Sequence, residues 1–347
     1  MIKEKIKKNK VLPLDQFIDF CLYKFKDSYY QKKKFFGHNG DFVTSPHISS
    51  IFSEILAIWI MMFCKKKDLG KELNILELGP GDGTMAYDIL STLHKLNLFK
   101  YKINYFLLEK SLSLKKQQKI KLAKYNNVNW IENLNKYNKK NTVIISNEFF
   151  DALPIKQFLK KNNQWFEKYV CYNKNSNKFE FINVKTSSKL IKKVKNIYNL
   201  KINNFIEFCP KFESLINKIS KILKLKNSIF LAIDYGENSE LCNDTLQAIY
   251  KNKRNNILKN LGNSDITYNV NFYHLIKLFK KNKLYFHNFM TQSKFLQQYG
   301  IMERLSTAPP ANKKLDFENL KKSIFRLIHP DQMGNLFKVL IVSKNKI

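Results

Sequence analysis

Short apolar runs alternate with segments of helical periodicity through the centre of the chain. Residues 75–78, 103–108 and 142–146 form nearly continuous apolar runs, which are typical of strands buried on both faces. Residues 85–96, which follow the first run, place apolar side chains at helical spacing. Because strands that alternate with amphipathic helices form parallel sheets, the pattern predicts an α/β fold, a Rossmann-like and mostly parallel sheet with helices on both faces.

The same patterning predicts the elements around this sheet. Helices are expected over residues 14–30 and 49–64, joined by a polar loop over 37–47 that we expect to lie over the mouth of a pocket. Further elements expected on these grounds are a β meander over 155–184, helices over 212–225 and 317–327, and strands over 228–234 and 336–343. The predicted organisation is an N-terminal helical lid (1–70), a core (71–154 and 226–347) with an insertion at about 237–300, and an inserted β meander with helices (155–225), the insertions forming a substrate cleft.

The first apolar run ends in a glycine turn that opens a helix. Gly79, Gly81 and Gly83 stand at alternate positions, so the backbone can approach a ligand closely before the helix begins. The dinucleotide fingerprint G-x-G-x-x-G is not met, because Thr84 stands where its third glycine would fall. The pattern is instead E-x-G-x-G-x-G, with Glu77 two residues before the first glycine. Such a turn can hold a nucleotide.

A second acid follows the next predicted strand. Glu109 stands directly after the run over residues 103–108. A carboxylate at the end of the second strand of a nucleotide-binding α/β fold can accept hydrogen bonds from both ribose hydroxyls. The alternative is that Glu109 only caps the helix that starts near Ser111.

Polar side chains also follow the third predicted strand, where Asn147, Glu148 and Asp151 flank two phenylalanines. Open α/β sheets bind ligands at the carboxyl ends of their strands. An amide followed by proline, as in N-P-P-[FY], suits a neutral planar nitrogen, whereas two carboxylates suit a cation such as a guanidinium. We therefore take these three residues as catalytic candidates; the alternative is that the two acids cap the following helix.

The net charge raises the question of nucleic-acid binding. The chain has 347 residues, is 44% hydrophobic and carries a formal charge of +33, which at first suggests phosphate contacts. Three of its 61 basic residues are arginines, and the other 58 are lysines spread through every segment, as an A/T-rich coding bias would produce. A dedicated binder concentrates charge on one face and uses arginine forks. We therefore expect solvated lysines and no specific nucleic-acid partner.

Several further patterns bear on location. The longest apolar run, residues 55–64, is about half the length of a bilayer-spanning helix, so no membrane insertion is expected. Residues 1–10 are lysine-rich without an apolar core, so neither a secretory signal nor an arginine-rich transit peptide is expected. The five cysteines are scattered and form no C-x-x-C pair, which indicates a reducing cytoplasm and no metal site.

Taken together, these motifs resemble one family, the MidA-like (NDUFAF7) group of class I S-adenosylmethionine (AdoMet) methyltransferases. The resemblance covers nearly the whole chain. It includes G-D-F-V-T-S-P at residues 40–46, E-L-G-P-G-D-G-T at 77–84, N-E-F-F-D-A-L-P at 147–154 and D-Y-G at 234–236. A glycine turn alone is weak evidence, but the first and third of these segments together are highly specific. The resemblance implies a protein arginine methyltransferase that forms symmetric dimethylarginine on a subunit of NADH:ubiquinone oxidoreductase (complex I) and assists its assembly.

The resemblance also implies roles for single residues. Glu77 would face the amino group of the methionine moiety, and the glycines would pass under the ribose and sulfonium. The cofactor-binding residues implied in all are Glu77, Gly79, Gly81, Gly83, Thr84, Glu109, Asn147, Thr44, Ser45 and Pro46. A bacterial-type member is expected in the cytoplasm, and the eukaryotic relatives in the mitochondrial matrix. The oligomeric state stays open, with a homodimer as one option.

The chain departs from the family pattern at three positions. His47 stands where Glu is usual, Asp82 where Arg is usual, and Asn271 where Asp is usual. If the usual acids at 47 and 271 bind the substrate cation, the substrate of this chain differs. Two alternatives therefore stay open: an AdoMet enzyme that methylates a small molecule or nucleic acid, and a non-catalytic assembly chaperone.

Overall fold

The structure, a computed structural model, describes residues 2–8, 11–32, 44–67, 69, 71–96, 101–307 and 314–346. Most of the polar loop expected over 37–47, including the segment G-D-F-V at 40–43, lies outside these residues. The chain divides into two compact units. Unit 1 comprises Met1–Phe35, Phe150–Ile216 and Glu237–Leu278, and unit 2 comprises Phe36–Phe149, Asn217–Gly236 and Phe279–Ile347.

Strands and helices are interspersed along the whole described chain. The strands are β1 (Val11–Pro13), β2 (Glu72–Leu78), β3 (Lys102–Leu108), β4 (Val128–Ile131), β5 (Thr142–Asn147), β6 (Lys156–Lys161), β7 (Gln164–Asn173), β8 (Lys178–Lys185), β9 (Phe205–Phe208), β10 (Ile229–Glu237), β11 (Gln247–Tyr250), β12 (Lys253–Asn255), β13 (Asp265–Thr267), β14 (Val270–Asn271), β15 (Tyr285–Thr291) and β16 (Phe337–Ser343). The α-helices are α1 (Ile2–Lys8), α2 (Leu14–Asp19), α3 (Ser45–Ile48), α4 (Ser50–Lys66), α5 (Thr84–Lys95), α6 (Leu112–Lys121), α7 (Ser188–Lys195), α8 (Lys211–Leu223), α9 (Phe272–Lys281), α10 (Gln292–Gln298), α11 (Ile301–Ser306) and α12 (Lys314–Ile328).

Unit 2 contains the predicted sheet. Its strand order is β15-β16-β10-β5-β2-β3-β4, and the pairs from β10 to β4 are parallel. β15 and β16 pair antiparallel at one edge. The strands are buried because their side chains are apolar, and side chains of α4 and α5 pack into the same core. The prediction of strands in this part of the chain is confirmed.

The order of the strands defines where a ligand crevice forms. The chain passes from β2 to β3 on one side and later returns to β5 on the other side, so the connections diverge between β2 and β5. Parallel sheets bind ligands at such a switch point, outside the carboxyl ends of the strands. Leu78 pairs with Ser146 in this register, so the glycine turn and Asn147 leave the sheet side by side.

Unit 1 contains two antiparallel sheets. One has the order β1-β7-β6-β9, with β8 also paired to β7, and the other has the order β12-β11-β13. The meander predicted over 155–184 forms β6, β7 and β8. Its core includes Phe158 and Tyr198, and the ring of His274 packs against that of Phe208. Burial lowers the pKa of His274 to about 3, so this histidine is a neutral packing residue.

Two sequence expectations differ from the structure. The single helix predicted over residues 14–30 is wrong, because α2 ends at Asp19, a π-helical turn follows, and the chain then turns. Ser28 closes this turn, since its hydroxyl accepts from Phe25 N at 2.8 Å and donates to Phe20 O at 2.7 Å. The insertion expected over 237–300 is also divided between the units, because β15 pairs with β16 in the sheet of unit 2.

Candidate active site

The glycine turn after β2 adopts a conformation that favours glycine. All three of its glycines have positive φ, with values of 67°, 55° and 86° at Gly79, Gly81 and Gly83. Gly79 N donates to Leu108 O at 3.2 Å, which ties the turn to β3. A Cβ on Gly79 would lie 2.7 Å from a ring carbon of Phe149, so only glycine lets the segment after β5 pack this closely.

Glu77 lies in the interior just before this turn. Its side chain is 1% exposed, and its carboxylate accepts a hydrogen bond from the Tyr105 hydroxyl at 2.7 Å. Burial raises the pKa of Glu77 to about 8, because one hydroxyl compensates only part of the lost hydration. A cation bound beside Glu77 would therefore stabilise its charged form.

Glu109 follows β3 and is also buried. Its Oε1 accepts from the backbone N–H groups of Lys110 and Ser111, both at 2.7 Å. Burial raises the pKa of Glu109, and these hydrogen bonds oppose the rise. The N-cap of α6 is Ser111, whose hydroxyl accepts from Leu114 N at 3.3 Å. Glu109 is therefore not the helix cap itself, although it orders the turn that leads into the helix.

Gln118 of α6 joins Glu109 to the glycine turn. Its Nε2 donates to Gly81 O at 2.7 Å and to Glu109 Oε2 at 3.3 Å. Its Oε1 accepts from the indole of Trp130 at 2.9 Å. No sequence motif singled out this residue. The available signal was its place on the buried face of a helix, four residues after Leu114.

Glu148 and Asn147 form the polar end of β5. Glu148 has a positive φ of 50°, a conformation that costs a non-glycine residue roughly 1–3 kcal/mol and is found at functional sites. Glu148 N donates to Ile233 O at 2.9 Å, and its carboxylate accepts from Asn147 Nδ2 at 2.9 Å and from Ser45 N at 3.2 Å. These contacts hold one carboxylate oxygen in place beside the end of the strand.

Asp234 supports the same turn and was also missed as a site residue. It is fully buried, and its carboxylate accepts from Phe149 N at 3.1 Å and from Tyr235 N at 3.1 Å. The signal for it was the D-Y-G motif at the end of an apolar strand. Asp151, the remaining catalytic candidate, belongs to unit 1, where it is 4% exposed.

Two of the departures from the family pattern lie in contact. His47 Nε2 lies 3.3 Å from Asp82 Oδ1, and Asp82 Oδ2 accepts from Lys121 Nζ at 2.5 Å. Asp82 also accepts from Thr84 N at 3.0 Å, at the start of α5. Burial alone would raise the pKa of Asp82, but the hydrogen bonds from His47 and Lys121 outweigh it and hold that pKa well below its usual range.

The expected loop residues lie at this contact. Thr44 precedes the short helix α3, and its hydroxyl lies 2.7 Å from His47 Nδ1. Ser45 and Pro46 are buried within α3. This segment therefore reaches the glycine turn through its histidine and the end of β5 through Ser45 N.

Asn271 has a structural role in unit 1. Its Oδ1 accepts from His274 N at 3.0 Å in the first turn of α9, and its Nδ2 donates to Ser239 O at 3.0 Å. Asparagine caps a helix as well as aspartate does, so the departure at 271 leaves this local structure satisfied.

The hydrogen-bond acceptors around the switch point fit an organic ligand with an amino group and vicinal hydroxyls. Glu77 and Glu109 supply carboxylates, and Asn147 Oδ1 is buried and accepts no hydrogen bond from the described residues. The described residues contain no group of three or more His, Cys, Asp or Glu that could hold a metal ion. Within the same residues, no helix combines the length and apolarity needed to cross a membrane.

Curated relatives match this chain in sequence over most of its length. The chain is 28% identical over 341 residues to "Protein arginine methyltransferase NDUFAF7, mitochondrial" of Danio rerio, a match that covers 90% of this chain and 79% of the relative. It is 26% identical over 358 residues to the protein of the same name from Homo sapiens, with coverage of 96% and 80%. The resemblance to this family is therefore confirmed.

A solved structure and a family model agree as well. A crystal structure of a COG1565 superfamily member from Burkholderia thailandensis, bound to S-adenosyl-homocysteine, matches with a TM-score of 0.84 at 21% identity and covers 98% of this chain and 90% of that chain. This likeness confirms the Rossmann-like α/β fold. Residues 55–290 match the family described as "Putative S-adenosyl-L-methionine-dependent methyltransferase". The chain belongs to this family of methyltransferases, whose cofactor is AdoMet.

Proposed function

We propose that this protein methylates arginine in a protein partner, forming symmetric dimethylarginine on a subunit of complex I and thereby assisting assembly. The observation that carries the proposal is the Glu148 carboxylate, held by Asn147 and Ser45 at the switch point beside the glycine turn. The relatives named protein arginine methyltransferases support the substrate class. The complex I partner rests on the family resemblance.

In this proposal the residues around β2 and β3 hold AdoMet. Glu77 binds its amino group, Glu109 binds its ribose hydroxyls, and the backbone of the glycine turn lies beneath it. Asn147 Oδ1, which lacks a partner among the described residues, accepts from the amino group. Segment 44–47 borders the site, because Ser45 N contacts Glu148 and His47 contacts Asp82.

When bound, AdoMet supplies a methyl group on a sulfonium, which an in-line nucleophile takes up as the S–CH₃ bond breaks and S-adenosylhomocysteine leaves. The chain must therefore place a guanidinium nitrogen near that methyl group and exclude water. The Glu148 carboxylate binds the guanidinium through charge-assisted hydrogen bonds and accepts the proton that the nitrogen loses. The hydrogen bonds from Asn147 Nδ2 and Ser45 N keep the carboxylate at the strand end. Asp151 is proposed as a further catalytic residue.

The charge of the chain supports an acidic protein partner. A formal charge of +33 produces a long-range attraction to acidic surfaces that weakens with salt.

We place the reaction in the cytoplasm for a bacterial-type member, whereas the named relatives are mitochondrial.

The test is mass spectrometry of complex I subunits from cells with and without the gene. We expect a symmetric dimethylarginine that disappears with the gene and returns with wild-type protein but not with Glu148→Gln. Glu132→Gln is the matched control, because Glu132 directly follows β4 and its side chain is 74% exposed. Unchanged arginine methylation in the deletion strain would contradict the proposed substrate. Restored assembly with Glu148→Gln and without methylation would favour the chaperone alternative.

A further inference from the structure

Gln118 is a buried polar residue on a helix that is otherwise largely solvated. It is 0% exposed, whereas Leu112 and Ile120 of the same helix are 70% and 80% exposed. Leu114 and Leu122 flank Gln118 at four-residue spacing and are also buried. An apolar side chain would therefore continue the buried stripe. A buried amide costs about 1–3 kcal/mol unless it is hydrogen-bonded, so packing alone does not account for glutamine here.

The orientation of the Gln118 amide is fixed by its partners. The Trp130 indole N–H can only donate, so the amide oxygen must face it, at 2.9 Å. The NH₂ group then faces two acceptors, Gly81 O at 2.7 Å and Glu109 Oε2 at 3.3 Å. A flipped amide would place its NH₂ group against the indole N–H, which is also a donor. Its oxygen would then face Gly81 O and Glu109 Oε2, which are both acceptors.

Gln118 also packs against the third glycine of the turn. A Cβ on Gly83 would lie 3.3 Å from Gln118 Cγ, so the glycine at this position leaves room for the glutamine stem. One side chain thus contacts Gly81 and Gly83, which follow β2, and Glu109, which follows β3.

We propose that Gln118 is a positioning residue for cofactor binding, which sets the Glu109 carboxylate and the Gly81 backbone at a fixed separation, with Trp130 as its orienting partner. The inference rests on the proposed role of Glu109 in binding the ribose. Gln118 acts through Glu109 and the turn and does not itself touch the reacting atoms. Its loss removes the hydrogen bond to Glu109 Oε2, so the carboxylate, which stays bonded at Oε1 to the backbone N–H groups of Lys110 and Ser111, can rotate relative to the ribose hydroxyls.

The test is calorimetric titration of the full-length protein with S-adenosylhomocysteine and with its 2′,3′-dideoxy analogue, which lacks the hydroxyls that Glu109 binds. The first variant is Gln118→Met, which keeps the length and volume of the side chain but removes its amide. Glu109→Ala is the second variant, and Gln117→Met is the control at the neighbouring position. We expect Gln118→Met to weaken S-adenosylhomocysteine roughly ten-fold, as for loss of a hydrogen bond to a charged group. The loss for the dideoxy analogue should be at least about three-fold smaller, because that ligand cannot use the carboxylate.

The affinities of the two ligands for these variants either support or overturn the role of Gln118. Equal losses for the two ligands, or no loss, would overturn the role of Gln118, because a merely structural residue does not distinguish them. Unchanged S-adenosylhomocysteine affinity in Glu109→Ala would overturn the ribose assignment and this inference with it. If Gln118→Met lowers the melting temperature too far for titration, Trp130→Phe keeps the glutamine but frees its amide. Its affinity for S-adenosylhomocysteine should still fall, and wild-type affinity would refute the orienting role.

Discussion

Replacing Glu77 by glutamine should have opposite effects on stability and on cofactor binding. The amide keeps the shape of the side chain and can still accept the Tyr105 hydroxyl, so the packing around β2 is preserved. It removes the charge that the interior disfavours. The cofactor-free variant should therefore resist unfolding better than wild type at alkaline pH, although it loses the partner proposed for the cofactor amino group.

The size of the stability effect follows from the pKa of Glu77. Burial raises this pKa from 4.5 to about 8, so the folded protein retains a proton that the unfolded chain has released between these values. A raised carboxyl pKa makes a contribution to stability that is full below the unfolded pKa and is lost as pH rises toward the folded one. At about 1.36 kcal/mol per pKa unit, wild type should lose about 3 kcal/mol between about pH 5.5 and pH 8 through this group.

Urea unfolding at several pH values measures this difference. The free energy of unfolding of Glu77→Gln, relative to wild type, should increase by about 3 kcal/mol across that interval, while its AdoMet affinity falls by roughly 1–3 kcal/mol. Glu72→Gln is the matched control on the same strand, and it should leave AdoMet affinity unchanged. The reasoning is refuted if wild type and Glu77→Gln have parallel pH profiles, because Glu77 would then titrate as an ordinary carboxyl.

Three further predictions concern the site and the net charge. Glu109→Ala should weaken AdoMet by roughly 1–3 kcal/mol in calorimetry, and an affinity within error of wild type would leave it only a local turn role. Gly81→Val should abolish AdoMet binding while the protein stays folded by circular dichroism, because a side chain at this position would occupy the space through which the ribose approaches the turn. Gly300→Val, at a φ of 90° before α11, should cost stability but bind AdoMet normally. DNA and RNA should bind weakly and with steep salt dependence, and nanomolar sequence-selective binding at physiological salt would overturn the interpretation of dispersed lysines.

The central sheet could be predicted from sequence because its signals are local. β2, β3 and β5 are apolar runs that end in polar or glycine residues, and the parallel arrangement brings those ends to one edge. The candidates Glu77, Glu109 and Asn147 were found in this way. β15 was instead assigned to an insertion, because a register shift between Phe286 and Asn288 interrupts the alternation that would mark a strand.

The missed residues are those defined by contacts distant in sequence. Gln118 meets Gly81 across 37 positions, and Phe149 meets Asp234 across 85. Neither residue stands in a spacing that predicts its partner. The contact between His47 and Asp82 likewise joins two departures that the sequence alone presents as unrelated.

Single-turnover methyl transfer tests the central claim most directly. The purified chain is loaded with methyl-labelled AdoMet and mixed with isolated complex I subunits, and the label is located by mass spectrometry. Wild type should label arginine, whereas Glu148→Gln should bind AdoMet nearly as well, melt at a similar temperature and transfer methyl roughly 10²–10⁴-fold more slowly. Full activity in Glu148→Gln, or label on a small molecule or nucleic acid added in competition and none on arginine, would contradict the account.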